Sequence, residues 1–305
     1  MISMGVRSAL KNRPGTQFVS YFVGINFHRR RSIIPLVMKL IIALLTALFF
    51  TTTPLSAQTD TTHISGFYTS FDSVHIYYEV AGKGKPVLLV HGFIVNGSSW
   101  KRAAIYQQLL QAGYQVITLD QRGNGFSDKP HDSTAYANDA EAKDIIGLLN
   151  SLHVKQYDVV GYSRGSIITA RLLVLDKRVH KAVLGGMGAD FTNPLWPRRI
   201  MFYHALRGDS VPELAGMIKY VESSGLDRQA LACMQQEQPS TPATVLQQVK
   251  QPVLVLRGSE DVDNGSAPEL AKLLPHATLG TVPGDHNHAS ATKEFGESVI
   301  TFLKK

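Results

Sequence analysis

The chain has 305 residues, 44% of them hydrophobic, and a formal net charge of +7. Its single cysteine, Cys233, excludes an internal disulfide framework. Residues 1–57 hold seven of the 31 basic residues and no acidic residue, so the rest of the chain is balanced at 24 basic and 24 acidic residues. The charge therefore gives no support for a nucleic acid or an anionic membrane as the partner.

The first predicted element is a leader over residues 1–57. Met38 and a lysine precede an apolar run at residues 40–50, and the small residue Ala57 ends the polar stretch that follows. This order is typical of a secretory signal peptide. We predict a start at Met38, cleavage after Ala57, and a periplasmic or secreted protein without membrane contact. The run is shorter than the about 20 residues of a membrane helix, and an uncleaved leader that anchors the protein is the alternative.

Eight strands are predicted in residues 58–305, which we interpret as one domain. The first two strands alternate or carry aromatic residues and suit an antiparallel edge, whereas the later ones are continuous apolar runs typical of parallel strands. Helical stretches, such as the one predicted at 134–152, separate most of them. This alternation predicts an α/β fold with a doubly wound, mostly parallel, eight-stranded sheet. The strands are predicted at residues 64–70, 74–80, 86–90, 115–120, 158–161, 181–185, 252–256 and 277–282.

The turn after the third strand reads His91-Gly92-Phe93. A glycine at position 92 lets the backbone approach a substrate, and the Phe93 N–H can then stabilise a developing oxyanion. His91 precedes the turn, and we interpret it as structural. The glycine-rich stretch 120–127 follows the fourth strand and is interpreted as a structural turn, since it does not match a phosphate-binding loop.

The fifth strand runs into Gly161-Tyr162-Ser163-Arg164-Gly165, which matches G-x-S-x-G. A helix is predicted directly afterwards, so the serine would lie on a tight turn between a strand and a helix. Such a turn exposes the hydroxyl and leaves no room for side chains at its two glycines. We therefore predict that Ser163 is a nucleophile and that the backbone N–H of Arg164 is the other oxyanion donor.

About 60 residues separate the sixth and seventh strands, where a crossover needs only one helix. The segment 189–250 is too long for a plain loop and contains a helical run at 213–224. We predict a small helical cap over the active site. Aromatic residues in it either line the pocket or join the cap to the core. The candidate pocket residues are Phe191, Trp196, Phe202 and Tyr203 in the cap, with Phe93, Tyr162 and Met187 nearer the nucleophile.

A serine nucleophile needs a base, and the base needs an orienting acid. Acidic residues follow the seventh strand, where Asp261 is the predicted acid and Glu260 and Asp263 are the alternatives. A Pro-Gly turn after the eighth strand leads to His286, the predicted base, with His288 as the alternative. A metal site at the two histidines has no third ligand nearby, so we predict no metal and no organic cofactor.

These motifs resemble the α/β-hydrolase superfamily over residues 64–305. The resemblance rests on the turn at 91–93, the D-x-R-G-x-G-x-S stretch at 120–127, the serine turn, and the Asp261 and His286 loops. It implies an α/β-hydrolase fold with the chain order Ser, acid, His. Two features depart from the familiar pattern: Asp285 stands between the glycine and His286, and an arginine follows the nucleophile. If the Arg164 side chain faces the pocket, it favours acidic or strongly polar substrates.

The function implied is hydrolysis of a small ester, lactone or related acyl compound through an acyl-enzyme. C–C bond hydrolysis, peptide-end cleavage, acyl transfer and cofactor-free peroxidation use the same triad and remain alternatives. The serine at 163 argues against dehalogenase and epoxide-hydrolase chemistry, which uses an aspartate at that position. A ligand-binding protein without catalytic activity and a membrane-tethered structural protein are the alternatives outside enzymes.

Overall fold

The computed structural model describes residues 63–305. The predicted leader, with its start at Met38 and its cleavage after Ala57, lies outside the described residues. Within residues 63–305, no helix combines the length and the apolar character that crossing a bilayer requires.

All eight predicted strands are present and form one sheet in the order β1-β2-β4-β3-β5-β6-β7-β8. The pairs β1–β2 and β2–β4 are antiparallel, and the remaining pairs are parallel. This confirms the predicted fold class. The strands are β1 (His63–Thr69), β2 (His75–Ala81), β3 (Pro86–Val90), β4 (Gln115–Leu119), β5 (Tyr157–Tyr162), β6 (Val179–Gly185), β7 (Val253–Gly258) and β8 (Ala277–Val282).

Helices cover both faces of the sheet. In β3, Leu88 and Val90 pack into one apolar layer with α3, α4 and α9, whereas Val87 and Leu89 pack into the other layer with α1, α2 and α10. Burial on both faces explains why the central strands are continuously apolar. The helices are α1 (Ser98–Arg102), α2 (Ala104–Gln111), α3 (Ala140–Ser151), α4 (Arg164–Leu175), α5 (Pro197–Arg207), α6 (Ala215–Ser223), α7 (Arg228–Gln236), α8 (Ala243–Leu246), α9 (Ala267–Leu273) and α10 (Lys293–Lys304).

Helices α5 to α8 lie between β6 and β7, in the segment predicted as a cap. Helices α5, α6 and α7 share a small apolar core with the 3-10 turn Ser133–Tyr136, which precedes α3. This core includes Cys233, and burial raises the pKa of its thiol.

One predicted helix is wrong in its extent. The stretch 134–152 is not continuous, because Asn138 and Asp139 adopt left-handed backbone angles with φ of 55° and 60°. These residues separate the turn Ser133–Tyr136 from α3. Asparagine and aspartate tolerate this conformation better than other non-glycine residues.

Candidate active site

Ser163 occupies a strained turn between β5 and α4. Its φ is 53° and its ψ is −124°, outside the regions that L-residues normally adopt. The flanking glycines make this turn possible. A Cβ on Gly161 would lie 2.3 Å from the carbonyl oxygen of Gly165, and one on Gly165 would lie 2.2 Å from that of Val90. Any larger residue at either position would collide with backbone.

Three of the predicted side chains meet at the carboxyl edge of the sheet. Asp261 follows β7 and His286 follows β8. His286 Nε2 lies 2.9 Å from Ser163 Oγ, and its Nδ1 lies 2.9 Å from Asp261 Oδ2. The Asp261 side chain is 4% exposed and that of His286 is 19% exposed. This arrangement can pass a proton from the serine to a histidine held in one tautomer by a buried carboxylate.

The alternatives named for the acid and the base lie elsewhere. The His288 side chain is 78% exposed and bonds Asp285 at 2.7 Å. That hydrogen bond lowers the pKa of the Asp285 carboxyl. Glu260 and Asp263 are exposed to solvent. Among the candidates for the acid and the base, Asp261 and His286 are therefore the two that form the chain of contacts to Ser163.

Tyr162 holds the proposed base, His286, through two contacts. Its hydroxyl donates a 2.7 Å hydrogen bond to the backbone carbonyl of His286, and its ring stacks on the imidazole with centroids 5.5 Å apart. Burial raises the pKa of Tyr162, which keeps the phenol protonated and able to donate. The residue beside Ser163 thus fixes the loop that carries His286.

Asn264 touches the same imidazole from the other side. Its Nδ2 lies 2.9 Å from His286 Nδ1 and 3.3 Å from Nε2, while its Oδ1 accepts a 3.1 Å hydrogen bond from Arg198 Nε. Sequence reasoning missed both Asn264 and Arg198. A signal for Asn264 was its place three residues after Asp261, in a loop already predicted to reach the site.

Two backbone donors belong to residues that line the same cavity as Ser163. Among the described residues, neither the Phe93 N–H nor the Arg164 N–H has a hydrogen-bond partner, and both residues line the cavity at Ser163. A Cβ on Gly92 would lie 3.4 Å from Ser163 Cβ, so the two turns approach closely. Asn124 Nδ2 donates to the carbonyl of Phe93 at 2.8 Å and holds this turn in place.

His91 lies outside the proton path. It is fully buried, and its Nε2 accepts a 3.0 Å hydrogen bond from the backbone N–H of Gln121. Burial lowers the pKa of His91, which favours the neutral ring that can accept this bond. Asp120, at the start of the glycine-rich stretch 120–127, accepts hydrogen bonds from the backbone N–H groups of Gly97 and Phe126. His91 and Asp120 thus tie together the two turns beneath the site.

A sequence profile described as the alpha/beta hydrolase fold matches residues 85–216. Solved structures with this fold cover 79% of the chain at TM-scores of 0.65 and 0.66. The chain therefore has the α/β-hydrolase fold, and residues 85–216 match the model of that family. A Synechocystis relative is 42% identical over 114 residues, which are 37% of the chain and only 40% of that protein.

A non-heme chloroperoxidase of Streptomyces lividans aligns with this α/β-hydrolase over nearly its whole length. It is 28% identical over 278 residues, 78% of the chain and 99% of that protein. The enol-lactonase from Burkholderia xenovorans LB400 superposes with a TM-score of 0.66 at 19% identity, and the esterase from Exiguobacterium antarcticum with 0.65 at 21%; both are covered completely. At these identities the two structures show the fold alone.

The side chain of Arg164 does not offer a free charge to the site of this α/β-hydrolase. Both of its terminal nitrogens bind the carboxylate of Glu141, with Nη2 2.6 Å from Oε2, and both side chains are buried. Nη2 also lies 3.4 Å from the carbonyl of Met234 in α7. The arginine that departs from the familiar pattern therefore joins the serine turn to α3 and to the helical segment.

A cavity of about 570 Å³ opens onto Ser163. Five of the seven predicted pocket residues line it: Phe93, Tyr162, Met187, Trp196 and Phe202. The structure corrects the placement of two others. Phe191 is 1% exposed and packs into the core beneath the sheet edge, because the 3-10 turn that carries it faces inward. Tyr203 lies outside the lining and is covered by Arg207. Within residues 63–305, no group of three potential ligands is placed to hold a metal ion.

Proposed function

We propose that this α/β-hydrolase is a serine hydrolase that cleaves small esters, lactones or related acyl compounds through an acyl-enzyme. The observation that carries the proposal is the continuous contact from Ser163 Oγ through His286 to Asp261, at 2.9 Å for each step. The free backbone donors beside Ser163 support it further.

In the proposed mechanism Ser163 Oγ attacks the carbonyl carbon while His286 Nε2 takes the hydroxyl proton. The N–H groups of Phe93 and Arg164 donate to the oxyanion, and each donor lowers the barrier by about 3 kcal/mol. His286 then gives its proton to the leaving alcohol. Water, deprotonated by the same histidine, attacks the acyl-enzyme and releases the acid. The Asp261 carboxylate stabilises the imidazolium.

The cavity supports a small acyl substrate. Its walls combine aromatic and aliphatic side chains with polar and basic ones, and its volume of about 570 Å³ lies within the range of small-molecule sites. An esterase and an enol-lactonase are among the proteins that share the fold.

Labelling with a fluorophosphonate probe tests the nucleophile. We expect the purified protein to be labelled at Ser163 and the Ser163→Ala variant to remain unlabelled. Ser290 also lines the cavity, so Ser290→Ala is the matched control and should be labelled like the wild type. Labelling of a folded Ser163→Ala variant would refute the proposal.

Peroxide-dependent chemistry is the second candidate, favoured by the chloroperoxidase that aligns over 99% of its length. In this case hydrogen peroxide replaces water as the second nucleophile: its oxygen attacks the acyl-enzyme, the Ser163 ester bond breaks, and a peracid leaves. Assaying peracid formation at rising peroxide concentration separates the two outcomes. Peracid that forms with the wild type but not with Ser163→Ala would support this chemistry. Carboxylic acid as the sole product would support hydrolysis instead.

We also propose that the protein is exported. The sequence of residues 1–57 supports cleavage after Ala57, and no nucleic acid or membrane partner is proposed for the mature protein. Determining the N-terminal residue of the protein from its native cell tests this. Gln58 as the N-terminal residue would support export. An N-terminal residue that precedes the apolar run at residues 40–50 would contradict it.

A further inference from the structure

The wall of the active-site cavity is rich in positive charge. Its described lining residues include four arginines and neither aspartate nor glutamate. A carboxylate bound in this cavity would therefore meet no like charge in the walls. The four arginines are Arg102, Arg164, Arg198 and Arg199.

Three of these arginines are already occupied or lie in solvent. Arg164 is bound by Glu141. Arg199 donates to backbone carbonyls in and before the helical segment, including that of Gln235 at 3.0 Å. Arg102 is exposed and bonds the hydroxyl of Ser98.

Arg198 differs from the other three. Its Nε donates to Asn264, but within the described part of the chain its terminal nitrogens Nη1 and Nη2 have no hydrogen-bond partner. The side chain is half-buried, so the guanidinium is neither neutralised by a protein carboxylate nor surrounded by bulk water. Among the four lining arginines of the described chain, it is the one that is half-buried and keeps both terminal nitrogens unpaired.

The surroundings of Arg198 hold it beside the reaction centre. Its guanidinium lies over the ring of Phe202 at 5.0 Å, and Phe202 packs edge-on against Phe93, with ring centroids 6.1 Å apart. On the other side, Asn264 connects Arg198 to His286. One arginine is thus fixed between a proposed oxyanion turn and the proposed base.

We propose that Arg198 is a specificity-determining residue that binds a carboxylate on the substrate. A guanidinium matches a carboxylate with two parallel hydrogen bonds, which gives orientation as well as attraction. The preferred substrates are then acyl compounds with a free carboxylate, such as half-esters of short dicarboxylic acids or lactones that carry an acid group. This inference rests on the proposed hydrolase function.

The kinetic test compares two chromogenic esters of nearly equal shape. Mono-4-nitrophenyl glutarate carries the carboxylate, and its methyl ester is neutral. We expect Arg198→Gln to lower the ratio of kcat/KM between the anionic and the neutral ester by about 10- to 100-fold, mainly through KM. Arg198→Lys should restore part of the ratio, because it keeps the charge without the fork. Adding salt should change the ratio little, since the pair is partly shielded from solvent.

A matched control lies on the same helix. Arg207 is also placed over an aromatic ring, that of Tyr203 at 5.4 Å, but it lies outside the cavity lining. Arg207→Gln should keep the wild-type ratio. An unchanged ratio in Arg198→Gln would overturn the proposal, because Arg198 would then not contact the carboxylate. An equal loss in Arg207→Gln would also overturn it, because the preference would then come from the general positive charge of the helix.

A binding experiment separates this proposal from the hydrolase function. The chain has two tryptophans, and both of them, Trp100 and Trp196, line the cavity, so their fluorescence reports a bound ligand without turnover. In Ser163→Ala, monoethyl glutarate should bind about 10- to 100-fold more tightly than diethyl glutarate. Adding Arg198→Gln should remove this difference.

The outcomes of the two experiments are distinct. Binding that depends on Arg198 in a protein that hydrolyses no ester would support the carboxylate site and defeat the hydrolase proposal. Hydrolysis without any preference for the anionic ester would do the reverse. A protein that hydrolyses neither ester and binds neither ligand would overturn both.

Discussion

The carboxyl edge of the sheet and the helical segment between β6 and β7 build one site in different ways. At the edge, backbone atoms leave no room for a side chain at Gly165, where a Cβ would lie 2.2 Å from a carbonyl oxygen. In the helical segment, side chains make the walls, and some backbone is free of constraint, as at Gly216, where nothing lies within 4 Å of an added Cβ. We therefore expect substitutions at the sheet edge to impair activity strongly, and substitutions in the cavity walls to be tolerated much better.

The largest predicted effect falls on the edge. Asp261→Asn should lower kcat on an activated ester by about 10⁴-fold, because an amide can stabilise the wrong tautomer of His286. Asp263 is an exposed acid in the same loop, and Asp263→Asn should retain activity. A steady-state assay of both variants decides whether position 261 alone orients the base. Equal losses would show that the charge of the loop, rather than the 2.9 Å contact, matters.

The next effect tests the connection between the two regions. Arg164→Met leaves the buried Glu141 unpaired and should reduce the free energy of unfolding by about 3–5 kcal/mol. Replacing Glu141 by Leu in the same chain removes the stranded charge and should recover much of this loss. Urea unfolding of both variants measures the difference. A double variant as unstable as Arg164→Met would mean that the ion pair is not the cause.

A pair of glycine substitutions compares the backbones directly. Gly165→Ala should reduce the free energy of unfolding by about 3 kcal/mol, because its methyl group collides with the carbonyl of Val90. Gly216→Ala in α6 should stabilise the protein by up to about 1 kcal/mol, because alanine is the better helix former. Thermal unfolding reports both changes. Similar effects at the two positions would contradict the contrast between edge and segment.

The smallest predicted effect concerns the walls. Phe202→Ala removes a ring that contacts both Phe93 and Arg198, and should change the preference among acyl chain lengths by about tenfold. The nucleophile does not touch this ring, so fluorophosphonate labelling should persist. Kinetics on a series of 4-nitrophenyl esters measures the preference. Loss of labelling would instead place Phe202 in support of the nucleophile.

The same contrast explains what could be predicted from the sequence. At the sheet edge, function depends on local pattern: an apolar strand, a glycine turn and a polar residue in a fixed chain order. Ser163, Asp261 and His286 could therefore be selected before any coordinates, and all eight strands were found. The break at Asn138 and Asp139 was missed because the apolar residues at helical spacing, Ile145, Leu148, Leu149 and Leu152, all follow it and do not indicate where the helix begins.

The helical segment offered no comparable rule. Aromatic residues in it suit a pocket wall and a core contact equally well, so Phe191 and Trp196 could not be told apart. The fates of Arg164 and Arg198 depend on Glu141 and Asn264, which are distant in the sequence. An arginine's partner is set by tertiary packing, so the sequence left open whether the Arg164 side chain faces the pocket and gave no reason to single out Arg198.

The hydrogen bond from Tyr162 to the backbone of His286 has a consequence for motion. The strand that carries the nucleophile thus also holds the loop that carries the base, through a contact in which no residue of the helical segment takes part. If helices α5 to α7 shift to admit a substrate, the contacts from Arg198 to Asn264 and from Arg164 to Met234 shift with them. The bond from Tyr162 can then keep serine and histidine together while the entrance widens.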